Sequence, residues 1–203
     1  MNGADESRRD IPIGSAGESP CDIPIGGAGE TPRDFLAGLF AGAASLDAAA
    51  TLSAAAARAQ RRAFVALSLG LQAATDAHEL AALHAAIAQQ SLRHGRPLAP
   101  TILLSAGPVT RGGAAAGGAD FLLALALALD ENRAIYAVAC GPVPQHACLM
   151  DPATIARAAA RGLAPAAHLR AGTALAFFAA LGDTFCLEPA PPHVLRAILI
   201  TQE

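Results

Sequence analysis

The chain contains no lysine and no tryptophan, and only one tyrosine. All 14 of its basic residues are arginine. Enzymes that handle phosphate often use the flexible lysine ammonium as a point charge, so here such chemistry would have to rely on guanidinium groups. A GC-rich genome produces this Ala/Arg/Gly-rich composition, and the chemical consequence is the same whatever the cause. Aromatic residues are also scarce, at 4% against 53% apolar. The core must therefore be close-packed Ala, Leu, Ile and Val. Few rings are available to stack on bases, and the net charge of −3 is not gathered into a basic patch. Both features argue against a nucleic-acid partner.

Long apolar runs are missing too. The longest, Phe121 to Leu129, falls short of the roughly 20 residues that span a bilayer. The polar start MNGADESRRDIPIG has no apolar signal core. The expectation is a cytoplasmic protein with no membrane partner. Cys21, Cys140, Cys148 and Cys186 include no CxxC pair. Cys140, His146 and Cys148 cluster in sequence but lack a fourth ligand nearby, so free thiols and no metal site are expected.

What is present begins with a duplication. Asp10 to Pro20 recurs twelve residues later as Asp22 to Pro32. Two copies do not make a solenoid, and the Gly and Pro density predicts a loosely packed tail over residues 1–33. Gly26 to Gly29 looks like a phosphate loop, but no strand precedes it and no Lys-Ser/Thr follows. Residues 34–63 read as a helical lead-in. Thr31 and Pro32 open one helix, and Asp47 to Arg62 forms a second that ends in Arg58, Arg61 and Arg62.

From Phe64 to the end, strands and helices alternate. Phe64–Leu69 reads as a short buried strand and Asp76–His94 as an amphipathic helix with apolar Leu80, Leu83, Ile87 and Leu92. Thr101–Ser105 is a second buried strand, followed by a Gly-rich turn, Gly107–Gly118, and a helix, Ala119–Leu129. Ala134–Ala139 is a third strand. Asp151 and Pro152 open a helix, Gly172–Leu181 is helical, Thr184–Leu187 is extended, and Arg196–Thr201 is a last strand. This order predicts an α/β fold, a largely parallel sheet with helices on both faces.

Several segments of this region resemble the C-terminal MOFRL domain of the glycerate 2-kinase family, whose members are often called putative hydroxypyruvate reductases. His84 to Leu98 resembles its entry helix, and Thr101-Ile-Leu-Leu-Ser-Ala-Gly107 its strand and turn. Phe121-Leu-Leu-Ala-Leu-Ala-Leu-Ala-Leu129 resembles its Ala-Leu helix. Phe177-Phe178-Ala-Ala-Leu-Gly-Asp183 resembles its Phe-Phe-x-Ala-Leu-Gly-Asp signature, and Arg196 to Ile200 its closing strand. The order and approximate spacing hold from Phe64 to Thr201.

The loops depart from the family pattern. Its Gly-Gly-Glu turn reads Ala106-Gly107-Pro108 here, and its Arg-Asn-Gln-Glu segment reads Gly117-Gly-Ala-Asp120. Its Gly-Thr-Asp-Gly reads Cys140-Gly-Pro-Val143, and its Asn-Asp-Ser-Tyr reads Ala171-Gly-Thr-Ala174. Its Gly-Pro-Thr-Gly-Thr-Asn loop reads Glu188 to Val194. The family's amino-terminal nucleotide- and substrate-binding domain has no counterpart in the 63 residues ahead of Phe64. The resemblance therefore implies a degenerate domain, a non-catalytic accessory or remnant that folds and self-associates. The alternative it implies is ATP-dependent phosphorylation of glycerate to 2-phosphoglycerate, with ATP and Mg as cofactors and a separately encoded N-terminal kinase domain as partner.

Within this chain the candidates for residual chemistry are Arg111 as a cation and Asp120 as an acid. The backbone N–H groups of Gly107, Gly112, Gly113, Gly117 and Gly118 are candidates for an anion cradle ahead of a helix. Asp120 also suits a capping role near the helix start, Arg170 is a further cation, and Asp183 reads as a turn residue. His84 and His94 are expected near one helix face, and His193 lies in a proline-rich loop.

Overall fold

All six residues from Thr101 to Ala106 are buried, as a strand covered on both faces must be. The computed structural model describes residues 30–41, 47–97, 99–129, 134–141, 146–187 and 190–201. Both copies of the duplicated segment up to Gly29, the Gly26–Gly29 sequence, Cys21 and Val143 lie outside the described residues.

In chain order the helices are α1 Pro32–Leu39, α2 Ala48–Gln60, α3 Ala77–His94, α4 Gly118–Leu129, α5 Thr154–Ala160, α6 Pro165–Ala171 and α7 Ala174–Leu181. The strands are β1 Val65–Leu71, β2 Thr75–Asp76, β3 Thr101–Ala106, β4 Val109–Arg111, β5 Ala114–Ala116, β6 Ile135–Cys140, β7 His146–Met150, β8 Thr184–Cys186 and β9 Leu195–Ile200. Six strands form one sheet in the order β1-β3-β9-β6-β7-β8, and β2, β4 and β5 form a small second one.

The expected α/β class holds, with helices on both faces, but the sheet is mixed. Within the six-stranded sheet only β1 and β3 pair in parallel, whereas β3/β9, β9/β6, β6/β7 and β7/β8 are antiparallel. The alternation does leave β1, β3 and β6 running the same way. The last strand, β9, then inserts between β3 and β6 in the opposite direction, which no local sequence signal announces.

Alternation within each strand divides the core in two. Leu103, Ile135, Ala137, Ala139, Cys148, Met150, Ile198 and Ile200 face the side covered by α3, α4 and α7. Ile102, Leu104, Val138, Cys140, Leu149, Ala197 and Leu199 face α1 and α2. The lead-in helices are thus the second layer of the sheet's packing. α1 starts at Pro32 under a Thr31–Asp34 capping box, where the sequence places its opening. α4 is apolar almost all round because it is enclosed by α3, α6, α7 and the sheet.

Several expectations change in detail. The Phe64–Leu69 strand lies at the sheet edge and is largely exposed, since a short apolar run does not reveal whether both faces are covered. Leu83 of α3 is 52% exposed. The Gly107–Gly118 stretch is a hairpin, β4–β5, turning on Gly112 and Gly113 at φ 55° and 83°. Asp151 does not start α5 directly. It accepts the Ala153 N–H, and the helix begins at Thr154. β7 and α6 did not emerge from the sequence at all.

Candidate functional site

α4 begins immediately against β6. A Cβ on Gly118 would lie 3.0 Å from Ala139 Cβ and 3.3 Å from the Cys140 nitrogen, so glycine permits this approach. Beside it is a pocket of about 240 Å³ lined by Gly117, Gly118, Ala119, Asp120, Gly141, His146, Cys148, Gly172 and Leu175. Residues from three of the departing segments noted above meet here, Gly117 to Asp120, Gly141 and Gly172. The N–H groups of a helix's first turn have no partner within the helix. Gly117 has no side chain to cap them, so this end of α4 carries the positive end of the dipole.

Asp120 already provides an anion for that end. Its Oδ2 accepts the Gly117 N–H at 3.1 Å, the backward half of a capping box. Its Oδ1 accepts from Arg111, which reaches over from β4 as an ion pair. Arg111's guanidinium lies against the backbone of Gly172, the left-handed residue that ends α6, where a Cβ would overlap it. The acid that lines the pocket, Asp120, is therefore neutralised by Arg111.

The five glycines are spread over three places. Gly107 (φ 133°) ends β3, packs on the Gln72 backbone and donates its N–H to the Val194 carbonyl at 3.0 Å. Gly112 and Gly113 form the hairpin tip, where the Gly112 N–H reaches Asp76 Oδ2 at 3.2 Å. Only Gly117 and Gly118 border the pocket, and the Gly117 N–H is taken by Asp120. Three of the five candidate N–H donors are thus used within the protein, and they do not converge.

Cys140 and Cys148 point to opposite faces of the sheet, since Cys140 pairs with Ala147 and Ala139 with Cys148. They cannot share a metal with His146, and no cluster of metal-ligating side chains occurs among the described residues. Burial pushes each of the two thiols up to about 12, so neither is a nucleophile near neutral pH.

Two buried polar clusters were not read from the sequence. Arg196, fully buried on β9, donates from Nε to Ser105 Oγ at 3.0 Å, from Nη1 to the Gly107 carbonyl at 2.9 Å and from Nη2 to Gln72 Oε1 at 3.1 Å. Its guanidinium carbon is 5.5 Å from the centroid of the Phe121 ring. Burial lowers its pKa to about 10. Next to it His84 is buried as well, with Nδ1 2.8 Å from the Leu80 carbonyl and Nε2 3.0 Å from Ser105 Oγ. Burial brings His84 down to about 4, so it is neutral. His94, about 80° round the helix from it, is exposed.

In the second cluster Asp183 is a hub and more than a turn residue. Arg157 donates to both of its oxygens, at 3.1 and 2.7 Å, and Arg33 to Oδ1 at 2.8 Å. Both arginines also pair with Asp151, Arg157 at 3.0 Å. Burial alone would raise the Asp151 pKa, but the Arg157 and Arg33 guanidiniums together hold it below the usual carboxylate value. This network clasps α1 and α5 to the β7–β8 end of the sheet. A larger cleft of about 400 Å³ between α1 and α2 is lined by Arg58, Arg61, Arg62 and Glu30. Arg58 caps carbonyls at the end of α1, and Arg62 pairs with Glu30 at 2.7 Å.

No family model matches the chain, and no curated protein matches it in sequence. Among solved structures, a glycerate kinase from Thermotoga maritima is similar with a TM-score of 0.68 at 19% identity, covering 75% of this chain and 40% of that one. The PH0495 protein from Pyrococcus horikoshii is similar with a TM-score of 0.62 at 20% identity, covering 76% of this chain and 38% of that one. At these identities the likeness is one of fold, and the chain spans about two fifths of the length of each neighbour. The fold is glycerate-kinase-like. No described helix is long and apolar enough to cross a membrane.

Proposed function

We propose that this chain is a degenerate C-terminal domain of the glycerate 2-kinase type, MOFRL-like from residue 64 onward, that performs no phosphoryl transfer by itself. The observation that carries this reading is the state of the α4 N-terminus. Phosphoryl transfer needs cations and N–H donors directed at an incoming polyphosphate, together with an acid that holds the metal. Here Asp120 lies at the helix N-terminus itself, bound to Arg111 and to the Gly117 N–H. An incoming phosphate would meet a carboxylate, and the nearest cation would first have to leave its partner. Residues from three segments that depart from the MOFRL pattern, Gly117 to Asp120, Gly141 and Gly172, border that same pocket, so polar groups are lost where a ligand would sit.

ATP and Mg are not cofactors of the isolated chain in this reading, and its setting is the cytoplasm. Thermal unfolding with increasing Mg-ATP, with and without glycerate, tests it. The reading expects an unchanged midpoint. A saturable rise in midpoint with nucleotide concentration would overturn it.

One observation favours a second reading. The chain corresponds to about 40% of the Thermotoga glycerate kinase, so a complete enzyme of that plan would need a further domain. In this alternative the chain is one half of a glycerate 2-kinase-type phosphotransferase and acts with a separately encoded N-terminal domain. Co-purification with such a domain, followed by ATP- and glycerate-dependent ADP release from the complex alone, would favour it. A silent or unformed complex would dismiss it.

A further inference from the structure

The three arginines at the end of α2 are not equally engaged. Arg58, Arg61 and Arg62 all line the cleft of about 400 Å³ between α1 and α2, together with Glu30 and Ala41. Arg58 is committed to the Leu39 and Ala41 carbonyls, and Arg62 to Glu30 at 2.7 Å. Arg61 is exposed, and among the described residues nothing accepts from its guanidinium. The cleft therefore holds three cations against one carboxylate.

Two stretches of chain outside the described residues begin at this cleft. Residues 42–46, which follow Ala41, read Gly-Ala-Ala-Ser-Leu and carry no charge. Residues 1–29, which precede Glu30, carry Asp5, Glu6, Asp10, Glu18 and Asp22 against Arg8 and Arg9. From Asp10 to Gly29 there are three acids and no base. Of the two stretches, only this one can supply the missing negative charge.

The duplication singles out one acid. Gly29-Glu-Thr-Pro-Arg-Asp34 is the second copy of Gly17-Glu-Ser-Pro-Cys-Asp22. In the second copy Glu30 binds an arginine of α2, while Thr31 and Asp34 exchange the capping hydrogen bonds that fix the turn beside it. The first copy has Glu18, Ser19, Pro20 and Asp22 in the same places, and serine caps as threonine does. We propose that this first copy docks in the arginine cleft, with Glu18 bound to Arg61 as Glu30 is bound to Arg62. The connection between them, Ile23-Pro-Ile-Gly-Gly-Ala-Gly29 included, is about a dozen residues long, and closing such a loop costs little. This tether keeps Glu18 near the cleft and so makes up for the modest strength of an exposed ion pair.

A nitroxide label on Cys21 reads the docking in the full chain. Cys186→Ser leaves Cys21 as the thiol to be labelled, because Cys140 and Cys148 are buried. The label should broaden the amide resonances of Arg58 to Arg62 and of Gly38 to Ala41. Raising the salt concentration should reverse this, since exposed charges are screened. E18R and R61E should each abolish the broadening, and the double variant E18R/R61E should restore it. Only contact between the two side chains explains that rescue.

No broadening, or broadening that neither single variant changes, overturns the proposal. So does a double variant that is no better than E18R. Mixing labelled chains with unlabelled, isotope-enriched ones separates the other occupants. Broadening that arises only between chains assigns the cleft to a second copy. Shifts at Arg61 on adding inorganic phosphate, with the label silent, assign it to a free anion. Either result ends the proposal that the chain's own first repeat fills the cleft.

Discussion

Arg33 and Asp183 are 150 residues apart in sequence and joined by a hydrogen bond of 2.8 Å. Through this bond the start of α1 is fastened to the far end of the sheet. Asp183 is 2% exposed, and its two arginine partners are each 31% exposed. Asp183→Asn leaves both guanidiniums without their buried counter-charge. The expected loss is about 2 kcal/mol, below the roughly 3–5 kcal/mol of a fully buried pair because solvent reaches the arginines. Chemical denaturation of the variant checks the figure. Arg33→Ala should cost less globally but raise amide exchange in α1 selectively.

The His84 pocket makes stability depend on pH. Burial lowers this imidazole from 6.5 to about 4. Between those values the unfolded chain binds a proton that the folded one refuses, so stability rises with pH there. The contribution is fully present above about pH 6.5 and lost as pH falls towards 4, with a size on the order of 3 kcal/mol. The unfolding midpoint should fall over this window, and His84→Gln should flatten the slope. The Asp151 contribution is separate, because its carboxyl is held below 3.8 and it is lost only at lower pH.

The junction between Arg111 and Gly172 should tolerate no side chain. Gly172 has a φ of 70°, and a Cβ would overlap the Arg111 guanidinium. Gly172→Ala combines left-handed strain with displacement of that arginine from Asp120, so a loss of about 1–2 kcal/mol is expected. Gly162, also left-handed at φ 67° but with open space around it, should show only the strain when changed to Ala. Comparing the two unfolding midpoints separates the effects.

Thiol reactivity checks the reading of the pocket. Cys148 lines it but is buried, and burial raises both Cys148 and Cys140 to about 12. Under native conditions iodoacetamide should leave these two unmodified while the exposed Cys186 reacts. Peptide mass spectrometry identifies the labelled sites. Rapid labelling of Cys148 would mean a wetter and more open site.

The sequence made the buried framework legible and left the long-range polar structure hidden. β3, β6, β9, α3 and α4 announce themselves because covered strands and helices are written as apolar runs with clear stops, such as Gly95 after α3. The β4–β5 hairpin did not, since Val-Thr-Arg and Ala-Ala-Ala carry little strand signal and the glycines around them look like loop. β9's antiparallel insertion depends on the whole topology. At the site, Arg111 and Asp120 were legible as candidates because they flank a Gly-rich stretch ahead of a helix, but their pairing depends on a hairpin that the sequence did not disclose. Arg196 looked like the first residue of a strand, and nothing local shows that Ser105, Gly107 and Gln72 gather round it. Spacing likewise could not join Arg33 to Asp151 and Asp183.

The most direct measurement of the central claim is ADP release by the purified full chain supplied with ATP, Mg and glycerate. With Asp120 held by Arg111 at the N-terminus of α4, the rate should equal that of the same mixture without protein. ADP release that depends on glycerate, scales with protein concentration and disappears in Asp120→Asn would contradict the account.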